Sequence, residues 1–171
     1  PEVSEFATLI GNRYFDNGFM SWAVQTAPNG RIRYIQKTPG VGGSFYTTDT
    51  YNLGEWNHVV VTYSSGVAKI YLNGGIPITK VTPLQPIQYD TGFVSTNVTI
   101  GSAPAGGSPA VPIGPTQHFN GSIDQVSIFD YTLSASQVAT LHGGGTAITN
   151  PMSLSPVAYY QLGDQSVDNG A

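Results

Sequence analysis

The chain has 171 residues, only 9% of them charged, and six lysines and arginines against ten aspartates and glutamates leave a net charge of −4. A length of this order suits one sandwich-sized core, while the sparse, slightly acidic charge removes the basic face that binding to nucleic acid or to an anionic membrane requires. Cysteine is absent, which excludes disulfides, thiolate metal sites and cysteine nucleophiles together, and no apolar run approaches the roughly 20 residues of a membrane-spanning helix.

Short β-branched runs separated by glycines and prolines predict an all-β chain with many turns. Thr8 to Gly11 is the first short strand, followed by Asp16-Asn17-Gly18, a tight-turn signal. Phe19 to Gln25 alternates, with Met20, Trp22 and Val24 against Phe19, Ser21 and Ala23. Pro28-Asn29-Gly30 then closes a hairpin into Arg31 to Lys37, whose Ile32 and Tyr34 face opposite Arg33 and Ile35. Gly40 to Gly43 reads as a flexible cluster, and Ser44 to Thr48 as another short strand.

Trp56 to Val81 predicts three consecutive antiparallel strands. Val59, Val61 and Tyr63 alternate with His58, Val60 and Thr62, and apolar bulk on both faces predicts a central strand. Ser64-Ser65-Gly66 supplies a turn, after which Ala68, Ile70 and Leu72 share one side. Asn73-Gly74 is the strongest short hairpin signal, because a type I′ turn needs positive φ at both central residues. Pro77 puts the third strand at an edge or a bulge, since it cannot donate to a ladder. The inward set expected from this pattern is Trp56, Val60, Ile70, Leu72, Val126 and Ile128.

Downstream, Pro83 and Pro86 predict a loop over Thr82 to Gly92, Asn97 to Gly101 a strand, and Ser102 to Gln117 a long Pro/Gly/Ala loop. Ile123 to Phe129 places Asp124 on the side of Val126 and Ile128. A carboxylate there is expected to accept backbone amides from neighbouring loops, since desolvation demands partners. One short helix is predicted near 134–142, with Ser134 and Gln137 at capping-box spacing, Leu133 and Val138 as a hydrophobic staple and Gly143 beyond its end.

The run GEWNHVVVTYSSGVAKIYLNG from Gly54 resembles the central signature of laminin-G-like, concanavalin-A-like jelly-roll domains. A second block, NGSIDQVSIFDYTLSASQVATLHGGG from Asn120 to Gly145, resembles the closing segment that those domains share with pentraxins. The resemblance implies a two-sheet antiparallel jelly-roll sandwich over residues 1–149, without the strands that would open such a unit. Val157 to Asp164, VAYYQLGD, is similar to that opening strand, so 150–171 is expected to add a strand to its own sandwich or to a neighbouring copy.

Glycosidases on this scaffold need paired carboxylates flanking the sugar bond. The only glutamates are Glu2, Glu5 and Glu55, and no G-x-S-x-G, H-E-x-x-H or P-loop pattern occurs. No enzyme is expected. Pentraxin-type calcium binding does not carry over, because the loop Ser102 to Gln117 holds no acid. Laminin-G domains hold Ca²⁺ at the rim with an aspartate before the strand that Phe19 to Gln25 resembles, and Asp16 and Asn17 match that position. Flat rings that reach the loops would stack on sugar faces, and Tyr14, Phe15, Tyr46 and Tyr51, with Asn17, are the ligand candidates. Trp56, Asp124 and Ser134 are expected to be structural. The resemblance thus implies a non-catalytic module that recognises carbohydrate or glycoprotein by its rim, outside the cell or on a cell or virion surface. The alternative is a structural or assembly module of a cell-surface adhesin or a phage-type virion surface protein, one repeat of a larger chain, that joins copies of itself or a larger assembly by strand addition.

Overall fold

The computed structural model describes residues 5–12, 20–38, 41–81, 98–103, 106–108, 111–113, 117–145 and 151–163. It divides into two compact units, residues 1–120 and 121–171. The candidates Tyr14, Phe15, Asp16 and Asn17 and the expected loop 82–92 lie outside the described residues.

In chain order the first unit contains β1 (Ala7–Asn12), β2 (Met20–Thr26), β3 (Arg31–Thr38), β4 (Val41–Thr50), β5 (Val59–Ser64), β6 (Val67–Leu72), β7 (Ile78–Val81), β8 (Thr99–Ile100), β9 (Gly106–Ser108) and β10 (Val111–Ile113). A five-stranded sheet has the order β4-β3-β2-β1-β8, a three-stranded sheet the order β5-β6-β7, and β9 and β10 form a small hairpin. Every pairing is antiparallel.

Period-two alternation decides what each strand buries. Val24, Ile32, Tyr34 and Phe45 of the larger sheet form one buried cluster with Ala68 and Ile70 of the smaller, and Trp22, Val59, Val61, Tyr63, Leu72 and Ile78 pack around it. Tyr34 and Phe45 meet edge to face, 5.9 Å between centroids. Two antiparallel sheets joined through their inner faces make the sandwich expected from sequence. A bulge in β1 lets this work: the register against β2 shifts between Thr8 and Ile10, so Thr8 lies beside Gln25 on the outer face and Ile10 beside Val24 on the inner one. The Asn73-Gly74 turn has φ of 50° and 69°, the left-handed pair that the dipeptide predicts. β7 takes an edge of its sheet, and Pro77 lies just before its first residue, outside the ladder.

Five expectations are corrected here. Trp56 is 69% exposed rather than buried, because the strand starts only at Val59 and the alternation cannot be carried back through a loop. Val60 therefore sits on the face away from the cluster, and Val59, Val61 and Tyr63 face it. The middle strand is β6 and not β5; its Ala68 and Ile70 are buried on one side and Tyr71 on the other. β4 starts at Val41, with Gly42 and Gly43 paired to Lys37 and Gln36. The 102–117 segment holds the β9–β10 hairpin, whose backbone bonds need no particular side chains, so its Gly/Pro/Ala composition concealed it.

The second unit contains β11 (Val126–Ile128), helix α1 (Ala135–His142), 3₁₀ turns at Gly143–Gly145 and Pro151–Leu154, and β12 (Ala158–Tyr160). Val126 and Ile128, expected in the core, are half-buried. The helix has the predicted capping box: Gln137 N–H donates to Ser134 Oγ at 3.2 Å, and Ser134 N–H to Gln137 Oε1 at 2.8 Å. Gly143 ends it in the left-handed conformation, and Val138 and Leu141 are its buried residues. β12 pairs with β11 of the same chain, Val126 opposite Tyr160 and Ile128 opposite Ala158. A single oxygen secures this pairing: Asp124 Oδ1 accepts from the backbone N–H of Gln125 at 2.8 Å and of Leu162 and Gly163 at 3.1 Å each. Burial, then the Asp124 charge, raises the Tyr159 phenol above its ordinary value.

Two stability effects are expected in urea titrations. Ile70→Ala, at a 1% exposed position, should cost about 2–5 kcal/mol through lost transfer energy and the cavity left behind. Asp124→Ala removes the carboxylate that accepts the amides of Leu162 and Gly163, and should cost about 1–3 kcal/mol. Gly163→Ala, whose new Cβ would lie 2.9 Å from Asp124 Oδ2, should reproduce part of that loss and speed amide exchange at residues 162 and 163. Unchanged exchange there in both variants would mean that the carboxylate does not hold the strand.

Candidate functional site

The β2–β3 turn at 27–30, the connection 51–58 and the β6–β7 turn at 73–77 gather at one end of the first unit, since β2 and β6 finish there and β3 and β5 begin there. Their backbones are tied together. Tyr51 N–H donates to Gly30 O at 2.9 Å, and Asn73 N–H to His58 O at 2.8 Å. His58 N–H returns to Asn73 Oδ1 at 2.8 Å, and Asn73 Nδ2 donates to Asn57 Oδ1 at 3.1 Å. Asn57 then closes the loop on itself, accepting from Asn52 N–H at 2.9 Å and donating to Asn52 O at 2.8 Å and Glu55 O at 3.0 Å. A side-chain amide is the residue chemistry for this work, because it donates and accepts at once. Asn73 also tolerates the positive φ that its turn imposes.

On this braced frame Leu53, Trp56 and Ile76 are 62%, 69% and 95% exposed. Isolated exposed apolar residues are ordinary; a tryptophan held open on a hydrogen-bonded loop, with exposed Glu55 beside it in the chain, is an informative one. The indole offers a flat apolar face, and the carboxylate an acceptor for hydroxyl or amide hydrogens.

The two described ligand candidates, Tyr46 and Tyr51, lie in different places. Tyr51 starts this loop but packs against the core; burial raises its phenol above the ordinary value, with a hydrogen bond to Thr26 pulling the other way. Tyr46 lies on the outer face of the five-stranded sheet beside Arg33, whose Cζ is 5.8 Å from the ring centroid. Asp124 and Ser134 make the structural hydrogen bonds described above. Among the described residues no group of three or more histidines and carboxylates is placed to hold a metal ion. Trp56 as a rim residue was missed, although Asn52, Gly54 and Asn57 around it are turn formers that mark a loop.

Asn73→Ala removes both side-chain ties and forces alanine into φ 50°, whereas Asn73→Asp keeps the acceptor for His58. The alanine variant is expected to lose about 1–3 kcal/mol and the aspartate less, with the His58 amide exchanging faster in the first alone. Equal exchange in the two variants would show that the Asn73 side chain does not brace the rim.

Residues 3–139 match the Laminin_G_3 family model, described as the concanavalin A-like lectin/glucanases superfamily. The chain is 28% identical over 145 residues to the sushi, von Willebrand factor type A, EGF and pentraxin domain-containing protein 1 of Rattus norvegicus. That match covers 78% of this chain and 3% of the length of the relative. It is similar too to a solved structure, residues 221–444 of an S-layer domain-containing protein from Clostridium thermocellum, at 24% identity and a TM-score of 0.42, over 77% of this chain and 58% of that one. With a two-sheet antiparallel sandwich in its first unit and a family model matching most of its length, the chain belongs to the laminin-G-like branch of the concanavalin A-like lectin/glucanases superfamily.

Proposed function

We propose that the chain is a non-catalytic, lectin-like binding module of an extracellular or cell-surface protein, and that it engages carbohydrate with the rim that carries Trp56. The observation behind this is the 69% exposed indole on a loop fixed by the asparagine network. A ring already in place spends no ordering entropy when a sugar face stacks on it. Glu55 supplies the polar contact that orients hydroxyls, in the common pattern of an apolar platform with a few polar groups. The relative named for its sushi, EGF and pentraxin domains is consistent with a module set in a larger surface protein. The paired-carboxylate motif of the hydrolytic members has no counterpart in the sequence. In the same reading Asp16 and Asn17 are the calcium positions.

A glycan array, run with calcium and with chelator, tests this. The native chain should retain at least one glycan class, and Trp56→Ala should cut that signal at least tenfold with an unchanged melting temperature, because the side chain is mostly outside the fold. Chelator or Asp16→Ala should lower the signal if calcium bridges ligand and rim. Full binding by Trp56→Ala, or no glycan retained by the native chain in either condition, overturns the proposal.

A further inference from the structure

The described residues include three Asn-Gly pairs, Asn29-Gly30, Asn73-Gly74 and Asn120-Gly121. An asparagine side chain in front of glycine is open to attack by the glycine's own backbone nitrogen, which no side chain shields. Whether the two atoms meet depends on what holds them, and in this respect the three pairs differ.

Asn29 and Asn73 are held. Asn29 Oδ1 accepts from the Arg31 N–H at 3.2 Å, and the Gly30 nitrogen that would have to attack it donates to Ala27 O at 3.0 Å. Asn73 is half-buried and has both ends of its side-chain amide engaged, by the His58 N–H and by Asn57 Oδ1. Asn120 and Gly121 are both exposed, and among the described residues neither makes a hydrogen bond through backbone or side chain. The ties on either side are Phe119 N–H to Gly101 O and Gln125 N–H to Asp124 Oδ1, each at 2.8 Å. Residues 120–123 between them belong to no helix or strand. A segment without such ties opens locally at little cost, which is the freedom the attack needs.

We infer that Asn120-Gly121 is a site of spontaneous covalent modification, where asparagine converts to isoaspartate and aspartate at a rate that the fold withholds from Asn29 and Asn73. The Gly121 nitrogen gives its proton to solvent and attacks Asn120 Cγ. As the new N–Cγ bond closes a cyclic imide, the Cγ–Nδ2 bond breaks and Nδ2 leaves as ammonia with protons from solvent. Water then opens the imide. Addition at Cγ restores the main chain and leaves aspartate; addition at the Asn120 backbone carbonyl carbon routes the main chain through Cβ and Cγ and leaves isoaspartate. Nothing is oxidised or reduced, and water is the co-reactant. Either product adds a negative charge to a chain of net −4. Isoaspartate also lengthens the main chain by the Cβ atom, at the boundary between the two compact units. The site uses no residue of the Trp56 rim and does not rest on the function proposed for it.

The test ages the full chain in neutral and in mildly alkaline buffer and follows the three sites in one sample by peptide mapping, with electron-transfer fragmentation to tell isoaspartate from aspartate. Conversion at Asn120 should outpace that at Asn29 and at Asn73 at least tenfold, yield isoaspartate, and run faster in the alkaline buffer, where the attacking nitrogen loses its proton more readily. In guanidinium chloride, with the chain unfolded, the three rates should draw to within severalfold of one another. Gly121→Ala keeps the asparagine and should slow its conversion at least tenfold; the native time course stands even if this variant does not fold. Equal rates at Asn120 and at either other site in the folded chain, a tenfold lead that survives unfolding, aspartate formed without isoaspartate, or an unslowed Gly121→Ala variant would each overturn the assignment.

Discussion

Ile70 lies in the middle strand of the smaller sheet at 1% exposure, and its burial in one cluster with Val24, Tyr34 and Phe45 sets the parity of every strand around it. Complete burial of such a side chain contributes about 1.5–3 kcal/mol. More important is the constraint it imposes. A slip of one residue in β3 would exchange Ile32 and Tyr34 for Arg33 and Ile35 on the inner face, sending a guanidinium into an apolar layer, and strand register is specified most strongly where such a swap is so costly.

That parity also creates the polar architecture. With the apolar alternates committed inward, Gln25 and Arg33 must face outward, and the Leu9 bulge keeps Thr8 on the outer face beside Gln25 while returning Ile10 to the inner one. Closed to solvent, Gln25 must then satisfy both ends of its amide within the chain, which is how Gln117 and Arg33 come to share it. The rim is organised differently. There the strands have ended, backbone groups are left without ladder partners, and Asn57 and Asn73 supply side-chain substitutes for them.

Much of the fold was legible because it rests on short-range rules. Alternation gave the inward faces of β2, β3 and β6; Asn73-Gly74 gave its turn; Ser134, Gln137 and Gly143 gave both ends of the helix. Legibility failed where backbone geometry, not side-chain pattern, decides. The pairing of Gly42 and Gly43 and the β9–β10 hairpin place few distinctive side chains, so composition suggested loops. Trp56 failed for another reason. Apolar character argues for burial only while the strand continues, and two residues of loop, Asn57 and His58, separate it from Val59. The side chains around Arg33 were not visible at all as a cluster, because Phe6, Gln25, Arg33, Tyr46 and Gln117 come together only through the register of four strands and a distant loop.

The attachment of β12 to β11 has a consequence in time. Val126 and its strand partner Tyr160 are joined by 34 intervening steps of synthesis, about 2–7 s at ordinary elongation rates of roughly 5–20 residues per second. Through that interval the edge of β11 that β12 will take has no partner from its own chain, while Asp124 already accepts the amide of Gln125 next to it in sequence. The carboxylate is thus oriented before the Leu162 and Gly163 amides emerge, and the late strand arrives at an acceptor already in position. A nascent chain crowded by its neighbours during those seconds would present an open edge that the finished chain, with β12 on β11, does not.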